Sequence, residues 1–354
     1  MSKPKIIAFY LPQFYPTQEN DEWWEPGFTE WTNVAKAKPL YPGHYQPKLP
    51  GELGFYDLRL SETRQKQAEL AQEYGIDAFC YWHYWFEGRR LLSDVFEDVI
   101  KTGKPDFPFC LCWANHSWYK KTWSTKTDDK LLVEQTYGGI EDYKNHFFAM
   151  LPAFKDERYF KIDGKLVFGF YAPLHFDDIS NFMKIWNELA KQNNIPEFWF
   201  FAYTRHPKET VLLNSKGFKN IVVDLMHTVI KSKIVKLFHR IPELILNLPK
   251  RYYYDKYIKI NIEYFKKNNK IYPCILPNYD HSPRSGRNGI ELYQSTPIKW
   301  GILINQIKKL LSERKNYNEV IFIKSWNEWG EGNYLEPDRK FKRDYLDELK
   351  RNLY

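Results

Sequence analysis

Short runs of consecutive apolar residues recur along the chain, each closing on polar or aromatic side chains. Eight can be counted, at 6–14, 76–86, 108–116, 165–173, 197–204, 221–228, 271–282 and 320–326. Runs that are apolar on both faces suit strands buried within a parallel sheet rather than half-exposed ones. Between them, apolar residues at three and four spacing predict helices over 58–74, 91–102, 140–154, 177–193, 208–215 and 291–314. Strands alternating with helices predict an α/β fold, a single (β/α)8 TIM barrel, and 354 residues fit one such domain (1–354) with insertions. Two segments break the repeat. Residues 16–56, rich in Pro, Gly and Trp, read as a long loop over the barrel's C-terminal face. Residues 231–270 are basic and amphipathic, and read either as a helical insertion packed on the barrel or as a contact for an anionic membrane surface or an acidic glycan.

The last apolar run carries the sharpest chemical signal. Val320-Ile321-Phe322-Ile323-Lys324-Ser325 empties into Trp326-Asn327-Glu328-Trp329-Gly330-Glu331, two carboxylates three residues apart among aromatics and glycine. Catalytic groups of α/β barrels project from the C-terminal strand ends, which makes Glu328 and Glu331 the first catalytic candidates. If the chain turns helically there, residues at this spacing share a face with Cβ atoms roughly 5–6 Å apart. That approaches the carboxyl separation of retaining glycosidases, whereas inverting enzymes leave a wider gap for water. The plain alternative is an acidic loop. Other strand ends offer Tyr10 and Gln13, His83 and Trp85, Asn115 and His116, Tyr171, Tyr203, Asp224, and Asn278. Each alone reads equally well as a cap or a partner for a loop. Their recurrence at the same end of successive strands is the stronger observation, with Asn115, His116 and Tyr171 preferred. Trp31, Trp113, Trp326, Asn327 and Trp329 complete the candidate substrate-binding set.

Aromatic residues make up 18% of the chain, with 13 Trp, 26 Tyr and 25 Phe, and a carbohydrate site is one use for this excess because sugar rings present apolar C–H faces. Most of these rings serve the core. A net charge of +8 is modest for this length, and lysines scattered through helices do not form a nucleic-acid surface. Cys80, Cys110, Cys112 and Cys274 all fall in apolar runs, where free cysteine behaves as a small buried hydrophobe. Asp224, His227, Asp280 and His281 are metal-capable, yet without a His-x-His or His-Glu-x-x-His pattern neither metal nor cofactor is expected. No Gly-x-Gly-x-x-Gly sequence supports an ordinary nucleotide fold, which leaves a lipid-linked donor open. The N-terminus lacks a secretory apolar core, and no segment approaches the ~20 apolar residues of a membrane span. The expected location is cytoplasmic, peripheral to the inner membrane if 231–270 contacts lipid.

Longer motifs carry a resemblance. Ile7-Ala8-Phe9-Tyr10-Leu11-Pro12-Gln13-Phe14, Asn20-Asp21-Glu22-Trp23-Trp24, Gly27-Phe28-Thr29-Glu30-Trp31-Thr32-Asn33-Val34, the run from Gly75 to Phe86, Trp113-Ala114-Asn115-His116 and Trp326-Asn327-Glu328-Trp329 resemble the WbsX-type proteins of bacterial polysaccharide biosynthesis clusters. These are similar to glycoside hydrolase family 99, endo-α-mannosidases and endo-α-mannanases built on a (β/α)8 barrel. The resemblance to WbsX-type proteins runs nearly end to end, and that to family 99 centres on the stretch from Asn327 to Glu331. It implies that Glu328 deprotonates the sugar's own 2-hydroxyl, giving a 1,2-anhydro intermediate, and that Glu331 protonates the departing oxygen and then activates the acceptor, with net retention. Gly330 stands where the hydrolases often carry His. The implied function is endo-acting cleavage or transfer of a glycosidic linkage in O-antigen, capsule or exopolysaccharide metabolism, on an oligo- or polysaccharide that is free or lipid-linked. Two alternatives stay open: a glycosyltransferase using a lipid-linked or nucleotide-sugar donor, and a non-catalytic glycan-binding or assembly protein. The sequence names no sugar, linkage or oligomeric state.

Overall fold

The structure, a computed structural model, describes residues 3–120, 130–231, 248–314 and 317–354. Eight strands form its centre: β1 (Lys5–Tyr10), β2 (Ala78–His83), β3 (Phe109–Trp113), β4 (Lys165–Phe170), β5 (Phe198–Thr204), β6 (Asn220–Asp224), β7 (Tyr272–Ile275) and β8 (Val320–Ile323). Each pairs in parallel with the next, and β8 pairs with β1, so the sheet closes into a barrel. Helices Ser61–Glu73, Asp94–Thr102, Gly139–Phe154, Ile179–Gln192, Thr210–Ser215, Tyr254–Lys267, Pro297–Ser312 and Asp344–Leu353 follow the strands in turn. This is the (β/α)8 order expected from the alternation of runs.

Side chains alternate across each strand. The inward set includes Phe9, Trp82, Phe201, Tyr203 and Phe322; Phe9 stacks on Trp82 at 4.6 Å, and Phe201 meets Phe322 at 4.9 Å. Gly169 of β4 is small for a stated reason, since a Cβ there would lie 2.1 Å from the Phe201 ring. The four cysteines are free and buried. The outward set packs against the helices, as where Phe168 meets Trp186 at 4.8 Å.

The strands stop earlier than the apolar runs. β1 ends at Tyr10, β6 at Asp224 and β7 at Ile275. Beyond these ends side chains take over some of the backbone hydrogen bonds: Leu11 N donates to Asn327 Oδ1 and Leu276 N to the Tyr257 hydroxyl. The helix expected from 291 begins at Pro297, where the Thr296 side chain caps it, while Ile290–Tyr293 pairs in parallel with Lys250–Tyr253. The helical character of 231–270 appears in Tyr254–Lys267, which takes the place after β6 in the barrel's own order; of the segment read as a possible membrane contact, residues 232–247 lie outside the described residues. Residues 16–56 contain two short helices, Gln18–Trp23 and Glu30–Lys36, capped by Thr17 and Thr29. Their path is pinned where the Trp31 indole donates to the Tyr56 carbonyl at 2.7 Å, and this brings Glu30 beside the turn that follows β8.

Candidate active site

β8 delivers the site. Its alternation turns Phe322 into the barrel and, two residues on, Lys324 into the floor of the mouth. The chain then forms a small ladder, Asn327–Glu328 against Asn333–Tyr334, around the tight turn Trp329–Glu331, with Gly332 at a φ of +53°. Asn327 ties this turn to the end of β1: its Oδ1 accepts from Leu11 N at 2.8 Å and its Nδ2 donates to Leu11 O at 3.0 Å. Trp329 stacks on Tyr334 at 3.7 Å and donates to Glu336, whose carboxyl burial pushes up to about 7.

Glu328 is buried, and its Oε1 accepts from the Trp82 indole at 2.8 Å. Lys324 Nζ lies 3.8 Å from Glu328 Oε2 and 3.4 Å from Glu331 Oε2, so one ammonium spans both carboxylates. Arg284 Nη1 donates to Glu331 Oε1 at 2.6 Å, and its Nη2 sits 3.0 Å from Glu30 Oε2. Burial pushes the Glu328 carboxyl up to about 7 against the pull of Lys324, and the neighbouring Glu331 charge adds to the rise. For Glu331 burial acts in the same direction, but Lys324 and Arg284 outweigh it and hold the carboxyl well below its usual range. Glu328 therefore holds a proton more readily than Glu331 does. Two adjacent carboxyls driven apart in this way are equipped for acid and base work.

These groups line a cleft of about 840 Å³ at the C-terminal end of the barrel. Of the residues expected from sequence, Gln13, His116, Tyr171, Tyr203, Glu328 and Glu331 line it. The others do not, and strand parity accounts for several. Tyr10 points outward and donates to Gln67 on the first helix. His83 faces His146 at 2.7 Å, Trp85 donates to Asp142, and Trp113 is buried among the outer aromatics. Trp31 and Trp326 are core, with Trp326 against Phe79. Asn115 holds the loop after β4 through Ala172, and Asp224 accepts from the Tyr203 hydroxyl at 2.7 Å beneath the cleft surface. Asn278 binds the Tyr334 backbone and faces a second cavity of about 420 Å³. Asn327 and Trp329 brace the turn from behind.

The sequence reading overlooked Trp82, Tyr84, Glu30, Arg205, Arg284 and Lys324, all of which line the cleft. Consecutive residues of one strand cannot both face inward, and the structure shows Trp82 with Tyr84 as the inward pair, opposite in parity to His83 with Trp85. Gly330 also gains a reason. A Cβ at this position would lie 2.0 Å from Glu30 Oε2 and 3.0 Å from Arg284 Nε, so the Glu30–Arg284 pair fills the space a side chain would need. Among the described residues, the group able to hold a metal is His44, Asp280 and Glu291, rather than the Asp224, His227, Asp280 and His281 considered from sequence. His44 and Gln46 already bond Asp280, and Tyr41 bonds Glu291, which satisfies these groups as they stand. No helix among the described residues is long and apolar enough to cross a membrane.

Fold and cleft together define a (β/α)8 barrel with a cleft at the C-terminal end of its strands. The chain belongs to the WbsX glycosyltransferase family, whose description, Glycosyltransferase WbsX, matches residues 6–349. It is 30% identical over 355 residues to the protein WxcX of Xanthomonas campestris pv. campestris strain B100 and 31% identical over 362 residues to WxcX of strain ATCC 33913, in both cases across 98% of this chain and 49% of the relative. The chain thus spans about half the length of the curated relatives it matches. Among solved structures it is similar in fold to a glycoside hydrolase-like protein, with a TM-score of 0.66 at 13% identity over 100% of this chain and 94% of the other. The GH99 endo-α-mannosidase of Bacteroides thetaiotaomicron, solved with Bis-Tris propane, gives a TM-score of 0.56 at 14% identity over 100% and 96% of the two chains.

Proposed function

We propose that this protein breaks a glycosidic bond in a bacterial surface polysaccharide or its precursor and passes the glycosyl group to water or to another sugar, with retention. The observation that carries this reading is the buried pair Glu328 and Glu331 on a shared Lys324, the first carboxyl pushed up and the second held down, at the mouth of a cleft framed by Trp23, Trp24, Trp82 and Trp118. This order of proton affinity is the reverse of the roles the family 99 resemblance implies. With one proton on the pair, a sugar 2-hydroxyl donating to Glu328 favours that residue's anion and leaves the proton on Glu331. Glu328 can now take the 2-hydroxyl proton as O2 attacks the anomeric carbon, while Glu331 protonates the leaving oxygen as the glycosidic bond breaks. In the second step Glu331 removes a proton from the acceptor, which opens the 1,2-anhydro ring, and O2 regains a proton from Glu328. Each step inverts the anomeric centre, so the net outcome is retention.

The test is mass spectrometry of the host's surface polysaccharide and lipid-linked precursor after incubation with wild type and with Glu331→Gln. Fragments made only by wild type support hydrolysis, and lengthened or rejoined chains support transfer. Unchanged pools would overturn the catalytic reading. A 2-deoxy substrate analogue should bind without turning over, and normal turnover would refute participation of the 2-hydroxyl.

A further inference from the structure

The cleft has a second charged region, across the mouth from the carboxylate pair. In an eight-stranded barrel closed in chain order, β5 stands opposite β1 and adjoining β8. The residue that follows β5 is Arg205, which lines the cleft together with His175 and His206. Its guanidinium lies 5.5 Å from the centre of the Tyr171 ring, and its Nη1 approaches His227 Nε2 at 3.4 Å. The other two cations lining the cleft are already paired: Arg284 with Glu30 and Glu331, and Lys324 with Glu328 and Glu331. Arg205 has no carboxylate within ion-pair distance among the described residues. The nearby acids are engaged elsewhere, because Asp224 accepts from Tyr203 and from Met226 N, and Glu209 accepts from Thr204.

A guanidinium offers five N–H donors in a planar fork that matches a carboxylate or a phosphate. Here the guanidinium is partly buried over a tyrosine face and bonds His227 through one nitrogen, while its remaining donors meet no carboxylate among the described residues. We propose that Arg205 receives an oxyanion carried by the glycan, either the carboxylate of an acidic sugar or acidic substituent, or a phosphate. This rests on the reading of the cleft as a glycan site and narrows it to an anionic glycan. Placing the negative group at β5 fixes which way round the sugar lies relative to the pair.

The experiment uses oligosaccharides released from the host's surface polysaccharide in three forms: as isolated, after chemical reduction of their carboxylates to alcohols, and after hydrofluoric acid removal of phosphate. Binding is measured by titration calorimetry with the whole protein and with Arg205→Gln and Arg205→Lys. Wild type should bind the native form about tenfold or more tighter than one of the two treated forms, and which treatment weakens binding identifies carboxylate or phosphate as the source. Arg205→Gln should bind native and treated forms alike, and Arg205→Lys should retain part of the preference. Equal wild-type affinity for all three forms, or a preference that survives in Arg205→Gln, would overturn the inference while leaving the glycan reading intact. Binding of none of the three would sink the glycan reading itself.

Discussion

Replacing Lys324 with methionine keeps most of the side chain's bulk and removes the one charge that both carboxylates share. At 3.4 Å from Glu331, two unit charges attract by about 5 kcal/mol at an effective dielectric near 20, before the desolvation of either group is counted. Removing one partner of a buried ion pair generally costs about 3–5 kcal/mol. Here Arg284 stays 2.6 Å from Glu331, so the lower end, about 3 kcal/mol at pH 7, is expected. The pH dependence is the sharper test. The Glu331 carboxyl is held below its usual range, so its contribution is complete above the unfolded value near ~4.3 and is lost as pH falls toward the folded value. The raised Glu328 acts in the same sense, because its penalty appears only above the unfolded value and grows when Lys324 is gone. The stability gap between wild type and Lys324→Met should therefore shrink by about 1 kcal/mol between pH 7 and pH 3.5. Urea unfolding followed by tryptophan fluorescence measures it at both pH values. A gap of equal size at the two, or a wider one in acid, would refute the charge assignment.

Gly330→Ala should destabilise the protein by about 1–3 kcal/mol through collision with Glu30, and most of that loss should disappear in the double variant with Glu30→Ala; thermal melts of the two variants decide it. Glu331→Gln should recover turnover on substrates with an activated leaving group and Glu328→Gln should not, as read by release of a chromogenic aglycone; recovery by Glu328→Gln alone would reverse the roles. Trp82→Phe removes the indole donor to Glu328 and should move the ionisation assigned to that residue upward by about one unit in the pH–rate profile, whereas an unshifted limb would separate Glu328 from the observed pH dependence.

The chain's own pattern determined the barrel and pointed to the carboxylate pair. Strands buried on both faces must be apolar throughout, so the eight runs stand out from the amphipathic helices between them, and a glutamate pair directly after the last run is visible without any coordinates. The direction of side chains at the strand ends was less legible. A run apolar on both faces gives no contrast between inside and outside, and His83, Trp85 and Tyr10 read as well as Trp82 and Tyr84 until the register is known. Tertiary structure alone decided the electrostatics. Glu30, Arg284 and Lys324 come from the segment after β1, the segment after β7 and the end of β8, and only closure of the barrel brings them to one turn. Glu328 and Glu331 are chemically identical in the sequence; what separates their protonation is burial and the number of cations each one meets, and both are properties of the folded chain.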